Sequence, residues 1–278
     1  MAQAVQSAPP GPGADEFRLD GYVALVTGAG RGIGAGIARA YARAGADVAL
    51  VARTAAELED VAAAVRAAGR SASVIPADLT DVSRAVKIAE RTIAEHGRLD
   101  ILVNNAGGAM PAAYLDTTPE ALDEAFHFNV AAPFELTRQA TPYLLGSGRG
   151  AVINITSRMD RLAARQMVIY GTVKAALAQL TRLLAVELAP GVRVNAIAPG
   201  VVETDGLKTV LNDELRRRIV SATPLRRLST VADVANTARW LASPAASYVT
   251  GKVIEIDGGA EAPVFPDDTP DLQPANKQ

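Results

Sequence analysis

Short apolar segments alternate with amphipathic helical segments along most of this 278-residue chain. Each apolar segment is nearly continuous, which is typical of parallel strands that are buried on both faces of a sheet. Strand–helix alternation of this kind favours right-handed βαβ units and therefore an α/β fold with a doubly wound parallel sheet. The predicted strands are VALVT (23–27), DVALV (47–51), SVIPA (73–77), ILVNN (101–105), VINIT (152–156), VRVNAI (192–197) and KVIEI (252–256).

The range 18–260 contains no internal repeat and no linker, so we expect one domain there. Residues 1–17 are rich in proline and glycine and are expected to form a disordered leader. Residues 261–278 are rich in proline and acidic residues, and we expect a tail that is mobile or lies on a neighbouring subunit. The chain shows neither a signal peptide nor an apolar run that could span a bilayer, so we predict a soluble, cytoplasmic protein.

The composition excludes several classes of function. A net charge of −2 gives no general electrostatic reason to expect a nucleic acid or a membrane as a partner. The absence of cysteine excludes disulfides and thiolate metal sites. The two histidines, His96 and His127, are too few for a histidine-rich metal centre, and we predict structural roles for both and no metal. A small-molecule substrate is the expected partner.

A glycine-rich turn, TGAGRGIG, follows the first predicted strand and leads into the next helix. Gly28, Gly32 and Gly34 allow a positive φ angle and let backbone N–H groups approach a phosphate. The amino end of the helix that follows favours the negative charge of that phosphate. In this strand–turn–helix context the turn predicts a dinucleotide-binding site.

The end of the second strand indicates which dinucleotide is bound. An acidic residue there would bind the ribose 2′-hydroxyl of NAD, but this position reads Ala52-Arg53, and Asp47 lies at the other end of the strand. Arg31, in the glycine turn, is a second cation that could reach the same place. Arginine binds phosphate oxygens through a bidentate fork, so the sequence favours NADP(H) over NAD(H).

Tyr170 and Lys174 are four residues apart in a helical segment, and Ser157 precedes Tyr170 by thirteen positions. Residues four apart share one face of a helix, so the phenol and the ammonium would point into one site. A neighbouring cation favours the ionised form of a tyrosine, which is the adjustment that general acid–base catalysis needs.

Together these motifs resemble the short-chain dehydrogenase/reductase family over residues 18–260. The resemblance implies a Rossmann-type fold with seven parallel strands, helices on both faces and a single domain. The Tyr–Lys segment departs from the usual pattern at Val173, which is bulkier than in many members. The matching motifs are Thr27–Gly34, Asp78-Leu79, Asn104–Gly107, Asn129 within FHFNV, Ser157, Tyr170 with Lys174, and PGVVET (199–204).

The resemblance also implies a role for each catalytic residue in hydride transfer between a nicotinamide and a secondary alcohol or ketone. Tyr170 would exchange a proton with the substrate oxygen, and Ser157 would hydrogen-bond that oxygen. Lys174 would lower the pKa of Tyr170 and hold the nicotinamide ribose, and Asn129 would fix a water molecule that links the lysine to solvent. The implied cofactor-binding residues are Gly28, Gly30, Arg31, Gly32, Ile33, Gly34, Arg53, Thr54, Asp78, Leu79, Asn105, Ala106, Gly107, Tyr170, Lys174, Pro199, Gly200, Val202 and Thr204.

The substrate is indicated less directly. Segment 203–228 resembles the helical lid that covers substrate in this family, and its apolar residues would either face the substrate or pack in the core: Leu207, Val210, Leu211, Leu215 and Ile219. Further apolar walls are expected from Met110, Pro111, Met159, Leu162 and Met167. The patterns NNAGGAMP, NITS and IAPGVVETDGLK look like bacterial hydroxysteroid dehydrogenases of the seven-alpha type, which implies a bulky alicyclic substrate.

Two other functions stay open at this stage. Arg158, Arg161 and Arg165 could face an acyl carrier protein or coenzyme A, as in a 3-oxoacyl-thioester reductase, or could simply be solvated. A sensor or scaffold that binds dinucleotide without turnover is the alternative of another class, and the complete set of catalytic residues disfavours it. The resemblance implies self-association, as a homotetramer or at least a dimer, through helices around 119–144 and 168–189.

Overall fold

The structure is a computed structural model that describes residues 14–208, 211–262 and 271–272. Most of the predicted leader and most of the predicted tail therefore lie outside the described residues, as does Val210 of the predicted lid. Ala14–Phe17, at the end of the predicted leader, form a short 3-10 helix.

All of the described strands form one seven-stranded parallel sheet with the order β3-β2-β1-β4-β5-β6-β7. The chain starts in the middle of this sheet, builds outward to β3, and crosses back to build the other half, which is the doubly wound topology that the sequence predicts. Each predicted strand is present, with ends that shift by at most two residues. The strands are β1 (Val23–Thr27), β2 (Asp47–Ala52), β3 (Ala72–Pro76), β4 (Ile101–Asn104), β5 (Gly150–Ile155), β6 (Val192–Pro199) and β7 (Val253–Ile256).

Helices cover both faces of the sheet. Buried residues of α1, α2 and α9, such as Tyr41 and Leu58, pack on one face, and residues of α3, α5 and α6, such as Ile88 and Leu136, pack on the other. None of the helices in the described ranges is long and apolar enough to cross a membrane. The helices are α1 (Gly32–Ala44), α2 (Ala55–Ala67), α3 (Arg84–His96), α4 (Pro119–Phe126), α5 (Ala132–Ser147), α6 (Val168–Glu187), α7 (Asp205–Lys208), α8 (Asp213–Ala222) and α9 (Val231–Ala242).

A buried polar network in the centre of the sheet connects it to the two longest helices. The amide of Asn104 in β4 donates to Asn154 Oδ1 in β5 (2.9 Å) and to Thr137 Oγ1 in α5 (3.1 Å). Asn154 in turn donates to Thr181 Oγ1 in α6 (2.9 Å). Because every member of this network is buried and hydrogen-bonded, it fixes the positions of α5 and α6 relative to the strands without an unpaired polar group.

The amino ends of the central strands are joined by a buried carboxylate, that of Asp100. Its side chain is fully buried and accepts hydrogen bonds from the Val23 N–H of β1 (2.8 Å), from Arg98 (2.7 and 2.9 Å) and from Arg149 (2.9 Å). Burial alone would raise the pKa of Asp100, but the two guanidinium groups and the backbone N–H outweigh burial and hold the pKa below its usual value. This end of the sheet is opposite to the edge where the glycine turn lies.

We expect Asp100→Asn to lower the free energy of unfolding by about 3 kcal/mol, because two partly buried arginines lose their counter-charge. A carboxylate with a lowered pKa in the folded state stabilises the protein above its unfolded pKa of about 4 and loses this contribution as the pH falls further. The difference between wild type and variant in urea unfolding should therefore shrink below about pH 4. Glu59→Gln, which breaks an exposed pair with Arg66, is the control and should unfold like the wild type. A variant as stable as wild type at pH 7 would contradict this role of Asp100.

Candidate active site

The glycine turn after β1 is held against the end of β4 by Thr27 and Asn105. Thr27 Oγ1 donates to the Val103 carbonyl and accepts the N–H groups of Asn105 (2.9 Å) and Ala106 (3.0 Å). The amide of Asn105 donates back to the carbonyls of Thr27 (3.0 Å) and Gly28 (3.2 Å). These bonds join two loops at the carboxyl edge of the sheet, where ligands bind in open α/β folds.

The amino end of α1 has the properties of a phosphate-binding site. Arg31 precedes the helix in an extended conformation and makes no side-chain cap, so the first backbone N–H groups of α1 are not satisfied by that residue. Gly34 lies so close to the Gly28 carbonyl that an added Cβ would be 2.2 Å from its oxygen. Only glycine permits this tight turn, which lets the backbone approach a pyrophosphate.

A cavity of 610 Å³ extends from this turn over the ends of β2 and β3. The exposed side chains of Arg31 and Arg53, which the sequence predicts to lie near each other, both line this cavity. Glu57, in the first turn of α2, also lines this cavity and packs against Gly30. The sequence did not predict Glu57, because an acid was expected only at the end of β2. The first turn of α2 brings this carboxylate back to the cavity at the end of β2.

A second cavity of 470 Å³ adjoins the first, and Asn105 and Gly107 line both. Ser157, Tyr170 and Lys174 line the second cavity, which we call the cleft. The two cavities together form an elongated site whose donors, helix terminus and cations suit a nicotinamide dinucleotide. Predicted cofactor residues that line the first cavity are Gly28, Gly30, Arg31, Arg53, Thr54, Asp78, Leu79, Asn105, Ala106 and Gly107. Those that line the cleft are Ile33, Asn105, Gly107, Tyr170, Lys174, Pro199, Gly200, Val202 and Thr204.

Asn129 lies behind the cleft in a π-helical segment, His127–Ala131, which joins α4 to α5. Its fully buried amide accepts from the Gly108 N–H (2.8 Å) and donates to the carbonyls of Gly108 (2.9 Å) and Ala125 (2.9 Å). A Cβ on Gly107 would be 2.7 Å from Asn129 Oδ1 and 3.1 Å from Lys174 Nζ. The wider π turn thus places Asn129 against the Gly107-Gly108 loop, which also lies close to Lys174. Single π turns of this kind often occur at functional sites.

The pKa values of the Tyr170–Lys174 pair differ from the expectation. Burial lowers the pKa of Lys174 to about 8, although its ammonium donates to the Ile155 carbonyl (3.1 Å) and the Asp160 carboxylate favours its charged form. Burial raises the pKa of the Tyr170 phenol, a hydrogen bond with Ser157 opposes this, and the charge of Asp160 raises it further. The net shift of the Tyr170 pKa in the free protein is therefore upward, opposite in direction to the lowering that the resemblance implies. The ammonium lies 5.8 Å from the centre of the tyrosine ring, and burial is the largest cause of the upward shift.

Apolar residues form much of the wall of the cleft, and the predictions hold only for some of them. Pro111, Met159 and Met167 line it, whereas Leu162 does not and Met110 is 85% exposed. In the predicted lid, Leu207 of α7 lines the cleft. The rest of the described lid residues pack in a separate small core, with Ile219 buried against Leu228 and Ala260, and Leu211 and Leu215 beside them.

The three arginines between Ser157 and Tyr170 have different surroundings. Arg161 pairs with Glu255 (2.7 Å) and Glu261 (3.0 Å), and Arg165 pairs with Asp271 (2.6 Å). Arg158 is buried and lines the cleft. Carboxylates from β7 and the tail thus neutralise two of the three charges, which disfavours the alternative in which all three face an acidic carrier.

Neither histidine lines the cleft. His96 Nε2 lies 2.9 Å from Ser73 Oγ, and His127 Nε2 lies 2.9 Å from the Thr80 carbonyl. Within the described ranges, no group of three His, Asp or Glu side chains could hold a metal ion.

A Rossmann-type parallel sheet, a glycine turn and a Ser–Tyr–Lys cleft define a class of nicotinamide-dependent oxidoreductases. The chain belongs to the short-chain dehydrogenase/reductase family, whose members act on alcohols and ketones. A sequence model of this family, described as enoyl-(acyl carrier protein) reductase, matches residues 28–261.

Individual relatives have different substrates. An uncharacterised oxidoreductase of Mycobacterium tuberculosis is 52% identical over 260 residues, which are 93% of this chain and 99% of that protein. A 3-oxoacyl-[acyl-carrier-protein] reductase of Staphylococcus aureus is 35% identical over 238 residues, 85% of this chain and 96% of that one. A solved 7 alpha-hydroxysteroid dehydrogenase in complex with NADH and 7-oxo glycochenodeoxycholic acid superposes with a TM-score of 0.87 at 36% identity, covering 91% of this chain and 99% of that chain.

We expect Gly107→Ala to lower kcat by about 100-fold, because the new methyl group would displace the buried amide of Asn129 and the ammonium of Lys174. Gly146→Ala is the matched control, since an added Cβ in this exposed part of α5 meets nothing within 4 Å and alanine favours the helix. Steady-state kinetics and thermal melting of both variants would measure the effect. Equal activity of the two would mean that the packing of Gly107 against these groups is not needed.

Proposed function

We propose that this protein interconverts a secondary alcohol and a ketone on a bulky alicyclic substrate of the hydroxysteroid kind, with NADP(H) as cofactor. The observation that carries the proposal is the composition of the cleft. Ser157, Tyr170 and Lys174 share it with the apolar walls of Pro111 and Met159, and it adjoins the predicted dinucleotide site. A pocket of this kind, apolar with a few convergent polar groups, suits a large ring system with one reacting oxygen.

In this proposal the bound nicotinamide supplies or accepts the hydride, and the chain moves the proton. Tyr170 donates its phenolic proton to the oxygen of a ketone substrate during reduction and takes it back during alcohol oxidation. Ser157 donates a hydrogen bond to the same oxygen and positions it. Since burial raises the pKa of Tyr170, the phenol is protonated in the free protein and is ready for the reductive direction.

Lys174 and Asn129 act behind the tyrosine in the proposed mechanism. The ammonium of Lys174 holds the nicotinamide ribose, and its charge stabilises the phenolate that forms when Tyr170 gives up its proton. The polar groups around Asn129 lead from the lysine toward the Gly107-Gly108 loop, where a water molecule could complete the path to solvent.

The preference for NADP(H) rests on the arginines of the first cavity, beside the glycine turn. Arg31 and Arg53 would bind a 2′-phosphate, whereas Glu57 would repel it. Asp78 lines the same cavity, so two cations face two carboxylates, and the net charge of the cavity does not decide between the cofactors. The proposal therefore rests on Arg53, which directly follows β2, where the ribose is predicted to lie.

A 3-oxoacyl-thioester reductase is the second candidate, and the relative from Staphylococcus aureus supports it. The pairing of Arg161 and Arg165 with carboxylates disfavours it, because those charges are not available to an acidic carrier. For assembly we propose a homotetramer, or at least a dimer. Exposed apolar side chains on α5 and α6, such as Phe134, Leu183 and Val186, support self-association. The cytoplasmic location stays a prediction.

We expect Tyr170→Phe to lower kcat by at least about 100-fold, because the variant lacks the transferred proton. Cofactor affinity, measured by quenching of protein fluorescence, should be unchanged. Turnover should be tested with NADP(H) on steroids, cyclic ketones, sugars and 3-oxoacyl thioesters. Tyr248→Phe, a fully exposed position, is the matched control. Full turnover by Tyr170→Phe would refute the mechanism, and turnover of thioesters alone would favour the second candidate.

We expect Arg53→Ala to lower kcat/KM for NADPH relative to NADH by about 10- to 100-fold, which corresponds to the loss of a charge-assisted hydrogen bond to phosphate. Glu57→Gln should shift the ratio the other way, since it removes a like charge. Arg43→Ala, at an exposed position near the end of α1, should leave the ratio as in the wild type. A wild-type enzyme that prefers NADH would contradict the assignment.

A further inference from the structure

Arg158 directly follows Ser157, in a 3-10 turn at the carboxyl end of β5. It is only 3% exposed, although arginine is rarely buried without a partner. Its side chain lines the cleft and also a cavity of 610 Å³ that is bounded by α8, α9 and the end of β7. Arg158 and Val201 are the residues that line both. The guanidinium thus lies in the wall between the cleft and an adjoining space.

Few of the hydrogen-bonding groups of Arg158 are used. A guanidinium has five N–H donors, and within the part of the chain that the structure describes one bond is formed, from Nη2 to the Ala262 carbonyl at 3.3 Å. No carboxylate of the described residues forms an ion pair with it. Arg161, three positions on, holds two carboxylates by comparison. Removal of a cation from water costs several kcal/mol unless an anion compensates, so this arrangement needs an explanation.

The charged group that affects the pKa of Arg158 is Asp257, which also lines the adjoining cavity. Burial lowers the pKa of Arg158, and the Asp257 carboxylate acts in the opposite direction. One oxygen of Asp257 accepts from the Gly259 N–H (3.0 Å), and the other is buried without a hydrogen-bond partner. Asp257 therefore attracts the guanidinium from a distance and leaves its donors open. Because arginine stays protonated even when its pKa falls, the wall of the cleft keeps a positive charge.

We propose that Arg158 binds a carboxylate of the substrate, so that the preferred substrates are ketones and alcohols with an apolar ring body and an anionic carboxylate group. This inference rests on the proposed function, because it concerns the ligand of the same cleft. The ring body lies against Pro111, Met159 and Met167, and the reacting oxygen lies at Ser157 and Tyr170. The planar fork of a guanidinium matches the two oxygens of a carboxylate, and the pairing supplies a hydrogen-bonded counter-charge, which none of the described residues supplies.

The test compares keto acids with their methyl esters on the NADP-loaded enzyme. One pair is 7-oxo glycochenodeoxycholic acid and its methyl ester, and further pairs are alicyclic and aromatic keto acids with their esters. Dissociation constants come from calorimetry, and kcat and KM come from the oxidation of NADPH. We expect the wild type to bind the acid about 10- to 100-fold more tightly than the ester in at least one pair, the range for a hydrogen-bonded charge. The effect should fall on Kd and KM rather than on kcat.

Variants assign that preference to Arg158. Arg158→Gln should bind acid and ester alike, and Arg158→Lys should keep part of the preference, because it retains the charge but not the fork. Arg161→Gln, in which the lost charge was already paired, should keep the full preference. If Arg158→Gln fails to fold, the Arg158→Lys variant and the wild-type comparison still decide the question.

Each outcome has a definite meaning. Absence of any acid preference in every pair for the wild type overturns the inference, and so does a preference that survives in Arg158→Gln. A preference in binding without turnover of any ketone upholds the role of Arg158 and refutes the proposed reaction. Turnover of esters and acids with equal KM refutes the inference and leaves the proposed reaction standing.

Discussion

Lys174 brings an ammonium group into the interior of the chain, beneath the carboxyl ends of β4 and β5, where it is 4% exposed. Because water cannot solvate this charge, polar groups of the protein must stabilise it, and the packing around Lys174 reflects that requirement. The ammonium donates a hydrogen bond to the Ile155 carbonyl. Gly107 has no Cβ, and a Cβ there would collide with both the Asn129 amide and the Lys174 ammonium. These groups do not offset the whole free-energy cost of burying the charge, because burial still lowers the pKa of Lys174 to about 8. An anionic phenolate or a ribose hydroxyl beside Lys174 would offset that cost, which is why a buried lysine at this place favours chemistry over mere packing.

The two ends of the sheet carry different kinds of groups. Groups that stabilise the fold lie at the amino ends of the strands, and groups of the candidate active site lie at the carboxyl ends. At the amino ends, Asp100 joins β1 to the arginines that flank β4 and β5 in a closed set of charged hydrogen bonds. At the carboxyl ends, the same strands lead into loops whose polar groups are only partly satisfied within the described chain, such as the amino end of α1 and the side chain of Arg158. Parallel pairing makes this separation possible, because all strands end at the same edge. Between the two ends, the Asn104–Asn154 network keeps α5 and α6 in fixed positions, and α6 holds both Tyr170 and Lys174.

The fold could be predicted from the sequence because its signals are local. A continuous apolar run such as VALVT is typical of a strand with both faces buried, whatever its position in a parallel sheet. β1 accordingly has the predicted ends. Side-chain environments were harder to predict, because they depend on contacts between distant segments. Glu57 reaches the cavity beside the glycine turn only through the turn between β2 and α2, and Ile219 packs against Leu228 and Ala260 rather than over the cleft. The pKa of Tyr170 also depends on burial and on Asp160, neither of which the Tyr-x-x-x-Lys spacing reveals.

The arginines that follow Ser157 are neighbours in sequence but have different surroundings in the structure. In sequence, Arg158 and Arg161 are two cations in a short basic segment. The 3-10 turn at Arg158–Asp160 directs the first into the wall of the cleft, while the second lies next to β7, where Glu255 and Glu261 hold it. Arg161 is thus neutralised within the described chain, and its partners explain its position fully. Arg158 has a single carbonyl contact within the described chain and a buried position, and the Asp257 carboxylate attracts it without an ion pair, so an anion in the cleft would use the donors that stay open. In the proposed complex, Arg158 selects substrates by charge while the apolar walls select them by shape, and this selection acts next to Ser157, which positions the reacting oxygen.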